Sequence, residues 1–326
     1  MPSSTIRTFS DPYEYQEAVR ATDVRVFVTT RGEYEAGLTR IDLHRLWMQR
    51  SSVSLPVVAH GACHKDRSPI FFLTDGLQTP IFIGGIEISP GDVVFESSGA
   101  ENHIRASSGL RWGAMSLTPE DLAAAGRALV GRELTAPAVT RVISPQPALM
   151  SRLLNLHKAA DNLAATAPDV LAHPEVAKAM EQELVRAMIG CLTDPDPVRS
   201  SRSSHERLPV MQRFEQLLEA NRDEPLYLTE ICAAIGVTDR TLRLHCQEHL
   251  GMSPHRYLWL RRMNLARRAL ALADGTATTV TEIANDHGFG ELGRFAVSYR
   301  KLFGELPSAT LRRPPDHPRP FAIGRP

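Results

Sequence analysis

The sequence predicts an α+β chain: a β-rich N-terminal domain with appended helices, then an all-α C-terminal domain. Three observations predict this. Residues 1–118 hold short runs rich in β-branched and aromatic residues, punctuated by turn formers. Residues 119–193 carry apolar positions at helical spacing. Residues 208–313 contain one unit written twice. A chain of 326 residues, 43% of them hydrophobic, fits two or three domains with real cores.

In the first zone, strands are expected at 24–29, 39–48, 69–74, 79–83, 92–96 and 110–117. Gly84-Gly85, Ser89-Pro90-Gly91 and Ser107-Ser108-Gly109 separate some of them. Closely spaced short strands suggest a barrel or a sandwich. The second zone opens on Thr118-Pro119-Glu120-Asp121, an N-cap followed by Pro and acids in the first turn. Leu149, Leu153, Leu156 and Leu163 then recur at near-helical spacing, as do apolar residues in 176–192. Such stripes serve equally as core or as a dimer interface. Residues 194–207 are Pro- and Ser-rich with almost nothing apolar, and read as a linker. The tail, 314–326, is Pro-rich and expected to lack structure.

The repeat is the strongest signal. Leu228-Thr229-Glu230-Ile231-Cys232-Ala233-Ala234-Ile235-Gly236 is echoed 52 residues on by Val280-Thr281-Glu282-Ile283-Ala284-Asn285-Asp286-His287-Gly288. Leu250-Gly251-Met252-Ser253-Pro254 is echoed by Phe303-Gly304-Glu305-Leu306-Pro307. Each unit reads as helix-turn-helix. Thr229 and Thr281 are the expected N-caps, Ala233 and Ala284 permit a close crossing, and Gly236 and Gly288 supply the turn. Second helices are expected at about 238–250 and 291–303. Ser253-Pro254 starts and Asp274-Gly275 stops a joining helix of about 19 residues, roughly 28 Å long. Successive major grooves on one face of DNA lie about 34 Å apart, so two second helices on one monomer would reach adjacent grooves.

Formal charge is balanced, 37 cations against 37 acids, which excludes a uniformly basic nucleic-acid binder but not a local basic patch. Within 208–313 the balance is 14 cations against 12 acids. Between residues 240 and 268 it is seven Arg (Arg240, Arg243, Arg256, Arg261, Arg262, Arg267, Arg268) against Glu248 alone, a patch expected to face DNA. No apolar run is long enough to span a membrane, and Met1 to Ser10 has no secretory apolar core. Cys63, Cys191, Cys232 and Cys246 are scattered, as expected of free thiols in a reducing cytoplasm. No P-loop, GxGxxG, GxSxG or HExxH pattern occurs. No catalytic residue, metal site or cofactor is therefore expected.

The second half resembles the AraC/XylS family of bacterial transcription regulators. The resemblance covers 208–313 and rests on Arg240-Thr241-Leu242, Leu250-Gly251-Met252-Ser253-Pro254, Arg262-Met263-Asn264-Leu265-Ala266-Arg267, Gly288-Phe289 and Phe303-Gly304-Glu305-Leu306-Pro307-Ser308. It implies double-stranded DNA as partner, with the second helix of each unit in a major groove. The reading face so implied is Thr238, Arg240, Thr241, Arg243 and Leu244 in the first unit. In the second it is Glu291, Leu292, Arg294, Ala296, Val297 and Arg300. Arg240 and Arg243 suit bidentate bonds to guanine. Leu292, Ala296 and Val297 offer only apolar contact to thymine methyls, so weaker direct readout is expected there. Leu292-Gly293-Arg294-Phe295-Ala296 with 302–311 is also similar to regulators of ethanolamine utilisation. That likeness lies in the DNA-binding half and bears little on the effector.

Ser89-Pro90-Gly91-Asp92-Val93-Val94-Phe95 and His103 resemble the cupin-like β-barrel sensor of many family members. The resemblance implies a small-molecule effector of unidentified chemistry, for which Trp47, Phe72, Phe82 and Trp112 are the candidate lining, and a homodimer that contacts RNA polymerase if it activates. His60, Cys63, His64 and His103 are the tempting metal set, but Pro56 and Gly61 make 57–64 read as a loop, and scattered histidines are preferred. Two rivals remain open: a metal-dependent cupin enzyme fused to a DNA-binding domain, and a regulator without an effector.

Overall fold

In the computed structural model the described residues are 2–20, 22–99, 101–194, 202–203, 208–221, 226–275 and 277–312. The chain is mixed α and β, sheet-rich first and helical last. Strands and one helix open it: β1 (Ser3–Phe9), α1 (Pro12–Ala18), β2 (Thr22–Val28), β3 (Ala36–Asp42), β4 (Trp47–Val53), β5 (Val57–Cys63) and β6 (Ser68–Leu73). Then come β7 (Ile81–Ile83), β8 (Ile86–Ile88), β9 (Val93–Phe95), β10 (Glu101–Ala106) and β11 (Leu110–Leu117). The middle holds α2 (Pro119–Val130), β12 (Arg141–Ile143), α3 (Pro147–Thr166), α4 (Pro168–Ala172), α5 (Pro174–Thr193) and β13 (Arg202–Ser203). The last third is α6 (Leu208–Ala220), α7 (Leu228–Ile235), α8 (Asp239–Leu250), α9 (Pro254–Leu272), α10 (Val280–Asp286), α11 (Leu292–Phe303) and α12 (Pro307–Arg312).

The strands form two sheets. One has eight strands in the order β1-β3-β4-β11-β6-β9-β12-β13, the other five in the order β2-β5-β10-β7-β8. Among the described residues no ladder joins them, so the expected barrel does not close. Residues 39–48, read as one strand, are two. The amide of Leu43 donates to the carbonyl of Leu46 at 3.0 Å, which turns the chain between β3 and β4. Glu181 of α5 fixes that turn by accepting from the amides of Arg45 (2.7 Å) and Leu46 (3.2 Å). β1, β5, β8 and β10 escape the sequence reading because small and polar residues dilute their apolar pattern. β12 lies in the stretch read as helical and pairs with β9.

Four cores result. One lies between the sheets, filled by Val26, Val28, Leu38, Phe71, Ile81, Ile83 and Trp112 among others. A second lies between the outer face of the large sheet and α2, α3 and α5. On α3 the fully packed stripe is Met150, Leu153, His157, Ala160 and Ala164. Leu149, Leu156 and Leu163 flank it, partly buried, so the predicted leucine stripe serves the core. The third core is built from α6, α7, α8 and α9 but also takes Phe27 and Val58 from the outer face of the small sheet. The fourth belongs to the second helix-turn-helix unit, with Leu260, Met263, Phe295 and Tyr299 at its centre.

Gly126 of α2 gives a sharp test of close packing. A Cβ there would sit 2.6 Å from the Arg132 carbonyl oxygen and 2.8 Å from the Leu134 amide nitrogen. Alanine is worth about 1 kcal/mol over glycine in an open helix, but here it meets backbone that cannot step aside. Gly126→Ala is expected to destabilise the chain by about 1–3 kcal/mol, seen as a lowered melting temperature; a raised one would remove the clash from the account.

Candidate nucleic-acid interface

Each unit in the last third is a short helix, a glycine turn and a longer helix. α7 ends at Gly236, whose φ of 68° and ψ of 42° are left-handed, a conformation glycine takes without penalty. Gly288, its repeat partner, has φ 74°. The caps fall two residues before the expected ones. The amide of Thr279 donates to Glu282 Oε2 at 2.7 Å while Thr279 Oγ1 accepts from the Glu282 amide, a capping box. In the first unit the amide of Tyr227 donates to Glu230 Oε2 at 2.9 Å. Thr229 and Thr281 therefore lie inside the first turn, and the repeat's acids supply the cap. α9 runs the 19 residues from Pro254 to Leu272, as its start and stop signals predict.

α8 presents Arg240, Arg243 and Leu244 to solvent, with Leu244 54% exposed. Thr238 is its N-cap: Thr238 Oγ1 accepts from the Thr241 amide at 3.1 Å, and the two hydroxyls lie 2.8 Å apart. Arg243 Nε donates to Asp239 Oδ1 at 2.9 Å, one turn back on the exposed face. α11 exposes Leu292, Arg294, Val297 and Arg300, and half-exposes Ala296. Glu291, its N-cap residue, makes no side-chain cap and instead pairs with Arg294 Nε at 3.0 Å. The predicted reading faces are thus on the surface in both units. Phe295, Tyr299, Leu242 and Cys246 turn inward.

The arginine patch does not survive intact. Arg240, Arg243 and Arg256 are exposed. Arg261 is 4% exposed: its Nη2 donates to the Leu218 carbonyl at 3.0 Å and to Glu219 Oε1 at 2.7 Å. Arg262 lies over the Phe289 ring and Arg267 over the Phe303 ring. Arg268, seven residues and two turns beyond Arg261, stacks 3.8 Å from the Tyr13 ring and donates to Tyr13 Oη at 2.7 Å. Helical period puts these side chains on the faces of α9 that the rest of the protein covers. A run of like charge in sequence is here shared among several faces of one helix.

Residues 231–313 match a helix-turn-helix domain family. The probable thc operon regulatory protein of Rhodococcus erythropolis is 34% identical over 149 residues, 45% of either chain. XylDLEGF operon transcriptional activator 3 of Pseudomonas putida is 36% identical over 108 residues, 33% of either chain. A crystal structure of a probable AraC family transcriptional regulator from Rhodopseudomonas palustris CGA009 is 36% identical, covering 32% of this chain and 94% of that one, with a TM-score of 0.29. The last third of the chain carries an AraC/XylS-type DNA-binding domain. The chain spans under half the length of the two curated relatives just named.

Between the sheets of the N-terminal part lies a cavity of about 100 Å³. Trp47 and Trp112 line it, with Tyr15, Phe71, Cys63 and Glu96. Phe72 and Phe82 do not. Strand alternation sends Phe72 to the other face of the large sheet, where its ring meets His157 at 5.0 Å. Phe82 faces the outside of the small sheet, beneath the Arg105 guanidinium at 4.0 Å. Phe71, one residue from the predicted Phe72, is the lining residue and stacks on Trp112 at 5.8 Å. The same parity, had β6 been assigned a face, would have found it. Tyr15 Oη accepts from Trp112 Nε1 at 3.1 Å and shares a 2.8 Å hydrogen bond with Ser51 Oγ.

Glu96 is buried, and burial raises its carboxyl above the usual range; the Cys63 thiol donates to it. Because the folded state favours the neutral acid, its contribution to stability is full below the unfolded carboxyl value and is lost as pH rises through the folded one. Glu96→Gln is expected to melt with the parent near pH 4 and to gain on it as pH rises; a variant that loses stability throughout would contradict this.

His60, Cys63, His64 and His103 do not come together as one set, though His60 and His103 do meet. Residues 57–63 are a strand, β5, not a loop. Alternation sends Cys63 to the interior, His64 is exposed beyond the strand end, and His60 points outward beside His103. His60 and His103 meet Glu215 of α6 on the face covered by the helical third. Burial pushes the His60 imidazole down to about 4. Burial would raise the Glu215 carboxyl, but the His103 hydrogen bond and the neighbouring charges outweigh it and hold it at about 2. Arg25 of β2 pairs with Glu219 beside them.

Proposed function

We propose that this chain is a sequence-specific DNA-binding transcription regulator. It acts in the cytoplasm as a homodimer and answers to a small molecule held in its N-terminal part. Residues 1–118 sense, 119–193 mediate pairing, 194–207 link and 208–313 read DNA; the residues that the structure does not describe in the linker and the tail from 313 on carry no structural support. The observation that carries the reading is the pair of glycine-turned helices, α8 and α11, each offering exposed arginines, Arg240 and Arg243 on one, Arg294 and Arg300 on the other. A helix-turn-helix lays its second helix in the major groove, and arginine is the commonest bidentate reader of guanine. The apolar faces of Leu292 and Val297 favour methyl contacts and shape readout by α11. The cavity supports the effector: its walls are mostly apolar, with a few polar groups placed to orient a ligand. If the regulator activates, RNA polymerase is its further partner.

The test is selection of host genomic fragments by the purified full chain, followed by competition gel shifts. The expected enriched motif has two half-sites about one helical turn, 10–10.5 base pairs, apart. Enrichment without a shared motif, or competition equally good with arbitrary DNA, would defeat the proposal. A thermal-shift screen of small metabolites addresses the effector, since a ligand specific for the folded state raises its melting temperature.

A further inference from the structure

Neither DNA reading nor the interior cavity gives a task to His60 and His103, the histidines between the small sheet and α6. His60 of β5 and His103 of β10 are cross-strand partners, so both side chains leave the same face of the sheet. Their ring centroids lie 4.7 Å apart. Glu215 of α6 descends between them: its Oε1 is 2.8 Å from His103 Nε2, and its Oε2 is 3.9 Å from His60 Nδ1. Glu215 is 0% exposed; its Oε2 makes no close hydrogen bond and faces Arg261 Nη1 at 3.6 Å, with the buried Tyr257 beside it. One potential ligand atom from each of the three residues lies within 4.8 Å of the others.

Beside this cluster is a cavity of about 10 Å³, lined by His60, His103, His249 and Glu101. That is room for about one water-sized particle. Glu101 Oε2 is buried there without a hydrogen-bond partner. A buried Glu101 oxygen without a hydrogen bond and the His60 and His103 imidazoles around a hole of atomic size, with Glu215 bonded to His103 behind them, make a poor hydrophobic seam. They make a good set of cation ligands.

We propose that His60, His103 and Glu215 form a transition-metal site that bridges the N-terminal sheet and the helix-turn-helix region. The donor set, two imidazole nitrogens and a carboxylate oxygen, suits Zn²⁺ and its analogues Co²⁺ and Ni²⁺ rather than Mg²⁺ or Ca²⁺. Ligand atoms around a tetrahedral ion with bonds of about 2.1 Å sit about 3.4 Å apart. Modest rotation of the imidazoles from their present separations reaches that. The fourth position opens into the small cavity, where a water or His249 completes the shell. Arg261, whose Nη1 is 3.6 Å from Glu215 Oε2, carries a charge that opposes a cation. Its Nη2 is already held by the Leu218 carbonyl and Glu219, so it can keep those bonds while Glu215 turns to the ion.

Because the ligands come from β5, β10 and α6, the site is complete only while the helical region is docked on the sheet. Metal binding therefore stabilises that docked arrangement in proportion to occupancy. Regulator and metal would be linked even though the metal sits away from both the DNA-reading face and the effector cavity.

The experiment uses tag-free, full-length protein stripped with a chelator and titrated with Co²⁺, read by its visible ligand-field bands, then with competing Zn²⁺. The expected result is one Co²⁺ per chain, displaced by Zn²⁺, with a Zn²⁺-dependent rise in melting temperature. His60→Gln and His103→Gln should each lose at least tenfold in metal affinity and the Zn²⁺-dependent rise. His64→Gln, at the exposed end beyond β5, should keep both. Two variants guard against a fold defect, and each is compared with metal-free parent by circular dichroism. Absence of tetrahedral Co²⁺ bands in the parent, or bands unchanged in both folded variants, would overturn the proposal.

Discussion

Arg240→Ala and Arg243→Ala are each expected to weaken specific DNA binding by about 1–3 kcal/mol and to relax sequence preference at one base pair. Arg240 is the second residue of α8, exposed beyond a Thr238 cap that fixes where the helix begins. Arg243 is one turn further along the helix. It is paired with Asp239, but both partners are about half exposed, 50% and 53%. An exposed i,i+4 pair is worth about 0.3–0.5 kcal/mol, so surrendering it to a guanine edge costs little against the bidentate bond gained. Titrations against the selected operator and against single-base variants measure both effects. A contact to phosphate behaves differently: its loss weakens binding across all sequences and lowers the salt slope by about one. If both variants bound the operator like the parent, α8 would not be the reading helix. Arg294→Ala in α11 serves as the internal comparison. Its neighbours Leu292 and Val297 are apolar, so the second unit is expected to discriminate among bases less.

Phe214→Ala is expected to cost about 3–5 kcal/mol, the usual range for removing a fully buried phenyl group. Phe214 of α6 is 0% exposed and lies 6.0 Å from the Tyr257 ring, centroid to centroid. Its cluster also holds Phe27 and Val58, which come from the outer face of the small sheet. The truncation therefore opens a hole in a core that belongs to both halves of the chain. Chemical denaturation should show a lowered midpoint for the helical third, accompanied by earlier loss of its contact with the sheet. A change under about 1 kcal/mol would mean that the site collapses around the smaller residue, or that the two halves do not share this core.

Local signals carried far in the second half of the chain. The 52-residue repeat, Gly236 with Gly288, and the Ser253-Pro254 start each act through the backbone of a few neighbouring residues. Their consequences can be read in one dimension: two short helices, two longer ones and a joiner of 19 residues. The exposure of Arg240, Arg243, Arg294 and Arg300 follows from that register. In the first half the same reasoning placed five of the short strands but not β1, β5, β8 or β10, whose small and polar residues hide a period of two. The closed barrel was likewise lost, because closure is a relation between strands far apart in sequence.

What only tertiary structure decided is which face meets what. Phe71 rather than Phe72 lines the cavity because a strand alternates, and nothing local says which parity points inward. Arg261 and Arg268 belong to a basic run in sequence. One is buried against α6 and the other lies on Tyr13, because the face of α9 that carries them is covered. His60 and His103 are 43 residues apart and meet only because β5 and β10 pair, and Glu215 joins them only because α6 packs across that pair. Sequence alone determined the helix-turn-helix repeat and which arginines its second helices expose, since these rest on short-range backbone preference. The joining of sensor sheet to reading helices rests on burial of distant side chains against one another, which is a property of the folded whole.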